Sequence, residues 1–286
     1  MINNWKKYQH ALIWTGLPHK KGPSDTDAKN ALKTMGGVFA RWTSDFDCGY
    51  STEWYYCLCE KYIPIEKLTA KQRYRINKGL KQCEVVCAKS IPSLDFHAIY
   101  ELLKESFEDY PIEYRPNLHE YTCIKKLKIL LKDPNVDIWL VYSLEKELIG
   151  YCQCDRQTDR QTDGDTIVWL KQVKVPTKHL AKEVNAALIY RLCEYYLKGG
   201  KYKFICDGER NIKHITNYQD FLVRVLNFRY AYCKLNIVYQ WWLKITVDLL
   251  YPIRSIIKPM GKISPRIYDI YCVLFLEQIR RTFDKE

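Results

Sequence analysis

The sequence predicts an α/β (α+β) protein with a mixed central sheet flanked by helices and a helical extension at the C-terminal end. Three observations carry this. Residues 166–239 read as strand, loop, helix, strand, turn, helix, strand. Apolar residues recur at helical spacing at Phe96, Ile99, Leu102, Leu103 and Phe107, and again at Leu118, Tyr121, Ile124, Leu127 and Leu131. Residues 137–143 and 147–154 read as a hairpin that leads into the central strand.

Within residues 166–239, TIVWLKQVKV (166–175) is nearly continuous in apolar and β-branched residues, as a strand buried on both faces would be. Pro176 ends it, and Thr177 opens an amphipathic helix carrying Val184, Ala187, Leu188, Leu192 and Tyr195 on one face. Gly199 and Gly200 tolerate the left-handed backbone of a helix end. YKFICD (202–207) is a short strand, followed by the polar turn GERNIKHITN. A second helix carries Tyr218, Phe221, Leu222, Val225 and Leu226 and ends at Asn227. Residues 228–239 alternate as a strand with Ala231, Cys233, Leu235, Ile237 and Tyr239 on one side.

This succession, closed by Asn227-Phe228-Arg229, resembles the second half of a GNAT-type acyltransferase fold. Upstream, IPIEKLTAKQRYRINKGLKQCEV (63–85) is similar to the linker and helix of FemAB-like transferases, the peptidoglycan-bridge aminoacyltransferases. Arg73, Ile76, Gly79 and Lys81 match their R-x-x-I-x-x-(G/A)-x-K pattern. The resemblance spans about two-thirds of the chain and implies a GNAT-like domain over residues 63–240. FemAB-like proteins carry two related lobes, so residues 1–62 are expected to be a truncated N-terminal lobe. Residues 241–286 form the helical extension.

The chain has 286 residues, enough for one or two domains with a full core. Its 23 Tyr and 8 Trp argue against extensive disorder. A formal net charge of +12 favours anionic partners: nucleic acid, a CoA-type cofactor, a nucleotide sugar or an anionic membrane surface. The 12 cysteines include no C-x-x-C pair. The close pairs Cys57/Cys59 and Cys152/Cys154 lie in strand-like runs, with no second cluster to complete a zinc set. Reduced, mostly buried thiols are expected, and no bound metal. The opening MINNWKKYQHALIW lacks a signal-peptide apolar core, which points to a cytoplasmic protein. No run approaches the ~20 apolar residues of a spanning helix.

In order along the chain, residues 17–30 read as a loop, and residues 37–47 and 53–59 as two strands separated by a Gly-containing turn. Residues 65–81 should be helical, with Lys71, Arg75 and Lys78 on one face and Arg73 beside them. That stripe suits phosphate contact, with tRNA as a partner, and suits a solvated face equally. The twice-written DRQT within residues 155–165 marks a surface loop. Residues 241–257 combine Trp241, Trp242, Leu249 and Leu250 with Lys244 and Arg254. They suit a helix packed across the core or peripheral contact with an anionic membrane. Ser264-Pro265 starts a last helix with Ile267, Ile270, Tyr271 and Leu274 as its buried stripe.

The resemblance implies an acyl- or aminoacyl-transferase, with acyl-CoA or aminoacyl-tRNA as donor and an amine or hydroxyl of a cell-envelope or surface-polysaccharide precursor as acceptor. In such folds the donor lies in a splayed gap between two central strands. The equivalent segment here is VKVPTKHLAKEVN (173–185), which has no glycine between Pro176 and the helix body. Lys171, Val173, Val175, Lys178, His179, Lys182, Arg210 and Asn217 are the candidate donor-binding residues. His214 is the candidate general base, with Asp207 or Glu209 orienting it or doing the same work. Arg210 suits a phosphate or carboxylate. The missing glycine signature keeps a rival open: a catalytically silent GNAT-like module that binds nucleic acid or a protein partner.

Overall fold

In the computed structural model the chain is described over residues 4–108, 110, 112, 115–158, 166–213, 216–261 and 264–283. The elements begin with β1 (Trp5–Tyr8), β2 (Ala11–Trp14), α1 (Asp25–Met35), β3 (Phe39–Ser44), β4 (Trp54–Cys59), α2 (Ala70–Leu80) and β5 (Cys83–Cys87). They continue with α3 (Phe96–Glu105), α4 (Glu120–Lys132), β6 (Val136–Ser143), β7 (Leu148–Thr158), β8 (Thr166–Lys174), α5 (Thr177–Leu180) and α6 (Val184–Leu197). Last come β9 (Ile205–Glu209), α7 (Tyr218–Leu226), β10 (Arg229–Tyr239), α8 (Trp241–Leu250), α9 (Arg254–Met260) and α10 (Pro265–Phe283). The mixed α/β architecture is the one the sequence predicts.

Side-chain caps set several boundaries. Ser24 and Asp27 form a capping box at α1, as Thr69 and Gln72 do at α2. The Thr69 cap is why the helix expected over 65–81 begins only at Ala70, after a 3₁₀ turn at Ile65–Lys67. Asn227 ends α7 in the left-handed region, at φ 59°. The helix expected from Thr177 is broken: α5 stops at Leu180, and Glu183, at φ 59°, precedes α6.

The chain divides into two compact units that interleave along the sequence. One comprises Met1–Tyr56, Glu209–Thr216 and Tyr230–Glu286, the other Cys57–Gly208 and Asn217–Arg229. In the first, β1 and β2 are antiparallel, β2 and β3 parallel, and β3 and β10 antiparallel with Asn236 opposite Trp42. Leu12, Ala40 and Val238 on one sheet face pack with Ala28 and Leu32 of α1. Phe39, Cys233 and Leu235 on the other pack with Leu276 and Ile279 of α10. Val238 is thus buried on the side opposite the alternation that the sequence shows. In α10 the buried stripe is Leu274, Leu276 and Ile279, whereas Ile270 is exposed.

In the second unit β9 is parallel to β8, and β8, β7, β6 and β5 follow as antiparallel neighbours. The predicted hairpin is β6 and β7. Ile138, Leu140 and Tyr151 pack with Ile99, Leu102 and Leu103 of α3 and Leu127 of α4. The buried Asp137 is held by Lys89 (3.2 Å), Arg156 (3.2 Å) and the donating hydroxyl of Tyr196 (2.8 Å). The loop expected to begin at Asp155 does not begin there. Residues 155–158 belong to β7, where the Thr158 and Thr166 hydroxyls meet at 2.9 Å and Trp169 donates to Gln157 at 2.8 Å. Its remainder, 159–165, lies outside the described residues. All 12 cysteines are free; Cys152 and Cys154 face each other with Sγ atoms 3.7 Å apart.

Candidate active site

The site grows from a parallel pair of strands in the second unit. β8 and β9 pair at Val168–Ile205 and Trp169–Cys206 and no further, although β8 runs on to Lys174 and β9 to Glu209. A bulge explains the parting. Opposite β7, Gln153 faces Gln172 and Cys154 faces Leu170, so Lys171 is the extra residue. A bulge bends its strand and increases its twist. Past Trp169 no register pairing of β8 with β9 is seen among the described residues. β9 changes course at the same level: Gly208 sits at φ 114°, a conformation that glycine adopts without strain.

Asp207 is the first residue of β9 past the last strand pair. Gln219 of α7, itself buried, donates to it at 3.1 Å. Burial pushes the Asp207 carboxyl up to about 6, while the Gln219 hydrogen bond acts in the opposite direction. The Tyr218 hydroxyl is buried with no hydrogen-bond partner among the described residues. Burial first, and then the Asp207 charge, push it well above the ordinary tyrosine range. The same two causes raise the Cys57 thiol, which stays protonated and inert. An acid poised near neutrality beside a buried, uncommitted hydroxyl can accept a proton and steady a developing anion.

The other predicted residues are distributed as follows. His214 lies outside the described residues. Glu209 forms an ion pair with Arg41, a residue whose other terminal nitrogen is buried with no partner among the described residues. Arg210 is paired with Glu53, donates to its carbonyl oxygen at 2.7 Å, and stacks 5.3 Å from the Phe275 ring centroid. Lys171 lies 4.7 Å from the Trp169 ring centroid, and Val173 and Val175 are half-buried at the end of β8. Lys178 is ion-paired with Glu105 at 2.7 Å. His179 is buried, and burial lowers its pKa, so it carries no charge at neutral pH. Lys182 is half-buried, and Asn217 is exposed as the N-terminal neighbour of α7. In the first turn of α6 the Asn185 amide oxygen is buried and accepts no hydrogen bond from the described residues.

The basic helix α2 divides by face. Arg73 donates to the Leu68 carbonyl at 2.7 Å, and Arg75 grips Glu183 through two nitrogens at 2.9 and 2.8 Å. Lys71 and Lys78 remain exposed, joined by Tyr74 and Lys81 at i, i+3, i+7 and i+10. Tyr218, Gln219 and Asn185 have no place among the candidates read from sequence. A Gln inside the apolar stripe of α7 is the one signal that pointed to a buried polar contact there. Among the described residues no group of three or more His, Cys, Asp or Glu side chains is placed to hold a metal ion, and no helix is long and apolar enough to cross a membrane.

No protein-family model matches the chain, and no curated protein matches it. Solved structures do. An aminoglycoside acetyltransferase from an uncultured soil metagenomic sample is 13% identical, over 51% of this chain and 86% of that one, with a TM-score of 0.37. The aminoglycoside antibiotic 6'-N-acetyltransferase of Acinetobacter baumannii is 13% identical, over 55% and 96%, at 0.37. A possible acetyltransferase of Clostridium difficile 630 is 14% identical, over 56% and 97%, at 0.41.

Proposed function

We propose that the chain is an N-acyltransferase of the GNAT type, and that the gap between β8 and β9 takes the acyl donor. The observation that carries the reading is the parting of this parallel pair at the Lys171 bulge, with Asp207 as the first residue beyond it. A thioester donor with an extended amide-bearing arm hydrogen-bonds along β8 where it parts from β9, as an added strand would. The Asn185 amide sits in the segment expected to meet the donor's polar end. The amine acceptor attacks the thioester carbonyl, so a C–N bond forms and the C–S bond breaks. Asp207 takes the proton that the amine loses and passes it to the departing thiolate. The Tyr218 hydroxyl, too weak an acid to ionise, donates a hydrogen bond to the developing negative charge.

The donor class has a narrower reading, aminoacyl-tRNA, supported by the exposed Lys71–Tyr74–Lys78–Lys81 row. Lysines contact phosphates there and the tyrosine offers a stacking face. An amine of a cell-envelope or surface-polysaccharide precursor, as acceptor, rests on the sequence resemblance to FemAB-like enzymes.

The test is thiol release from acyl-CoA and acyl transfer from charged tRNA, each with a panel of amine acceptors. Turnover should rise with pH through about 6, as Asp207 ionises. Asp207→Asn should lower kcat/KM by about 10²–10⁴-fold and Tyr218→Phe by about tenfold or more. Full activity in both variants defeats the assignment. Absence of turnover with every donor, together with tRNA binding that weakens steeply with salt, selects the rival, a silent module that holds nucleic acid.

A further inference from the structure

Helix α8 has two apolar faces, and only one is used. Leu243, Val247 and Leu250 turn inward and pack with Ile257 and Leu274. Trp241, Trp242, Ile245 and Leu249 fall within about 100° of arc on the other side, at 100° per residue. They are all exposed: 74% for Trp241, 46% for Trp242, 54% for Ile245 and 73% for Leu249. The apolar surface continues past the 3₁₀ turn at Tyr251–Ile253, where Ile256 of α9 is 61% exposed. Large apolar side chains exposed together on one helix face of an otherwise charged chain mark an interaction site.

The surrounding charges point to the occupant. Residues 241–270 contain five Lys and Arg against two Asp. Both acids are neutralised: Asp248 by Lys244 at 2.6 Å and Arg281 at 2.7 Å, and Asp269 by Lys213 at 2.6 Å. Lys258 in α9 and Arg266 at the start of α10 are exposed, with no acidic partner among the described residues. Cations flanking an apolar patch with two tryptophans match the boundary between acyl chains and anionic headgroups. A buried protein–protein interface would be depleted in lysine.

We propose that the α8–α9 face is a docking surface for an anionic phospholipid bilayer. The helices lie in the plane of the interface, with Trp241, Leu249 and Ile256 inserted at headgroup depth and Lys258 and Arg266 against the phosphates. The proposal is independent of the acyl-transfer reading.

The test uses the full chain with vesicles of phosphatidylcholine alone and of equal parts phosphatidylcholine and phosphatidylserine. The protein should co-sediment with the anionic vesicles, and less so as salt is raised. Combined Trp241→Ser and Leu249→Glu should weaken binding by at least about tenfold. Combined Lys258→Glu and Arg266→Glu should abolish the preference for phosphatidylserine. All four side chains are exposed, so an unchanged melting temperature is expected. If a variant does misfold, quenching of wild-type tryptophan fluorescence by brominated lipid, lost in Trp241→Phe with Trp242→Phe, reads the same contact. Failure of the wild-type chain to bind either vesicle overturns the proposal, as does binding that the Trp241 and Leu249 changes leave intact. So does a concentration-dependent dimer, with no vesicle binding, that those changes dissociate, since the face then covers a second copy.

Discussion

Asp207 is a carboxylate kept where water solvates it poorly, and that has a sign that can be measured. Its folded pKa of about 6 lies above the ordinary 3.8. Between those values the folded state binds a proton that the unfolded chain does not. Stability therefore rises as pH falls from 6 toward 4, and at neutral pH the ionised group is a penalty. Asp207→Asn keeps an acceptor for Gln219 and removes the charge, so it should stabilise the protein at pH 7.5 by ~1–3 kcal/mol. The gain should vanish near pH 4. Denaturant titrations at the two pH values check this; a variant less stable at pH 7.5 would mean that the carboxylate is held for structure alone. Asp207 was visible in the sequence as one of a polar cluster, but its neighbours were not equally readable. Glu209 and Arg210 look as available as Asp207 until their partners appear, and Arg41 and Glu53 lie 168 and 157 positions away.

At the scale of elements, the R-x-x-I-x-x-(G/A)-x-K run of α2 has structural work in three of its four positions. Arg73 satisfies the Leu68 carbonyl, Ile76 is fully buried, and Gly79 lets α2 approach α6. A Cβ at Gly79 would stand 2.9 Å from the Ala187 Cβ and closer still to the Glu183 carbonyl oxygen, which is backbone and cannot swing aside. Gly79→Ala should therefore lower stability by ~1–3 kcal/mol, despite the better helix propensity of alanine. Thermal melts of the variant check this, and an unchanged or raised melting temperature would show that the two helices can separate freely. Helices α3, α4, α6 and α7 and the β6–β7 hairpin were legible because apolar periodicity is local, whereas α1 begins within residues that read as a loop. The edge strand β5 was missed: CEVVC is short, follows a helix directly, and is a strand only because Val85 pairs with Val141. The resemblance implied a gap between two central strands, but its place at Lys171 was not readable, since that bulge is defined by the register of β7.

At the scale of the molecule, a net charge of +12 makes the chain prone to acid expansion, and one buried carboxylate adds to the loss of stability in acid. Burial of Glu277 on α10 pushes its carboxyl up, but the Arg280 and Arg281 guanidiniums and the Tyr239 hydroxyl outweigh this and hold it down to about 2. Its contribution is complete above 4.5 and is lost as pH falls from 4.5 toward 2. Glu277→Gln should cost ~2–4 kcal/mol at pH 7 and flatten the loss of stability below pH 4. Urea unfolding across that range measures both, and an unaltered acid limb in the variant would remove Glu277 from the account.

The sequence by itself determined the class of architecture, the helices of the middle of the chain, the central strands, the basic character and the reduced state expected of the thiols, because these follow from short-range periodicity and composition; α1 was not among them, since residues 17–30 read as a loop and Asp25–Met35 is helical. Only the tertiary structure decided which polar residues are committed to ion pairs, where β8 and β9 separate, and which face of α8 is left uncovered. β10 shows the difference. Its alternation was plain in the sequence, yet Val238 on its polar side is buried, because β10 pairs with β3 and α1 covers that side of the sheet. Local pattern states what a residue can do; the partner brought to it from a distant part of the chain settles what it does.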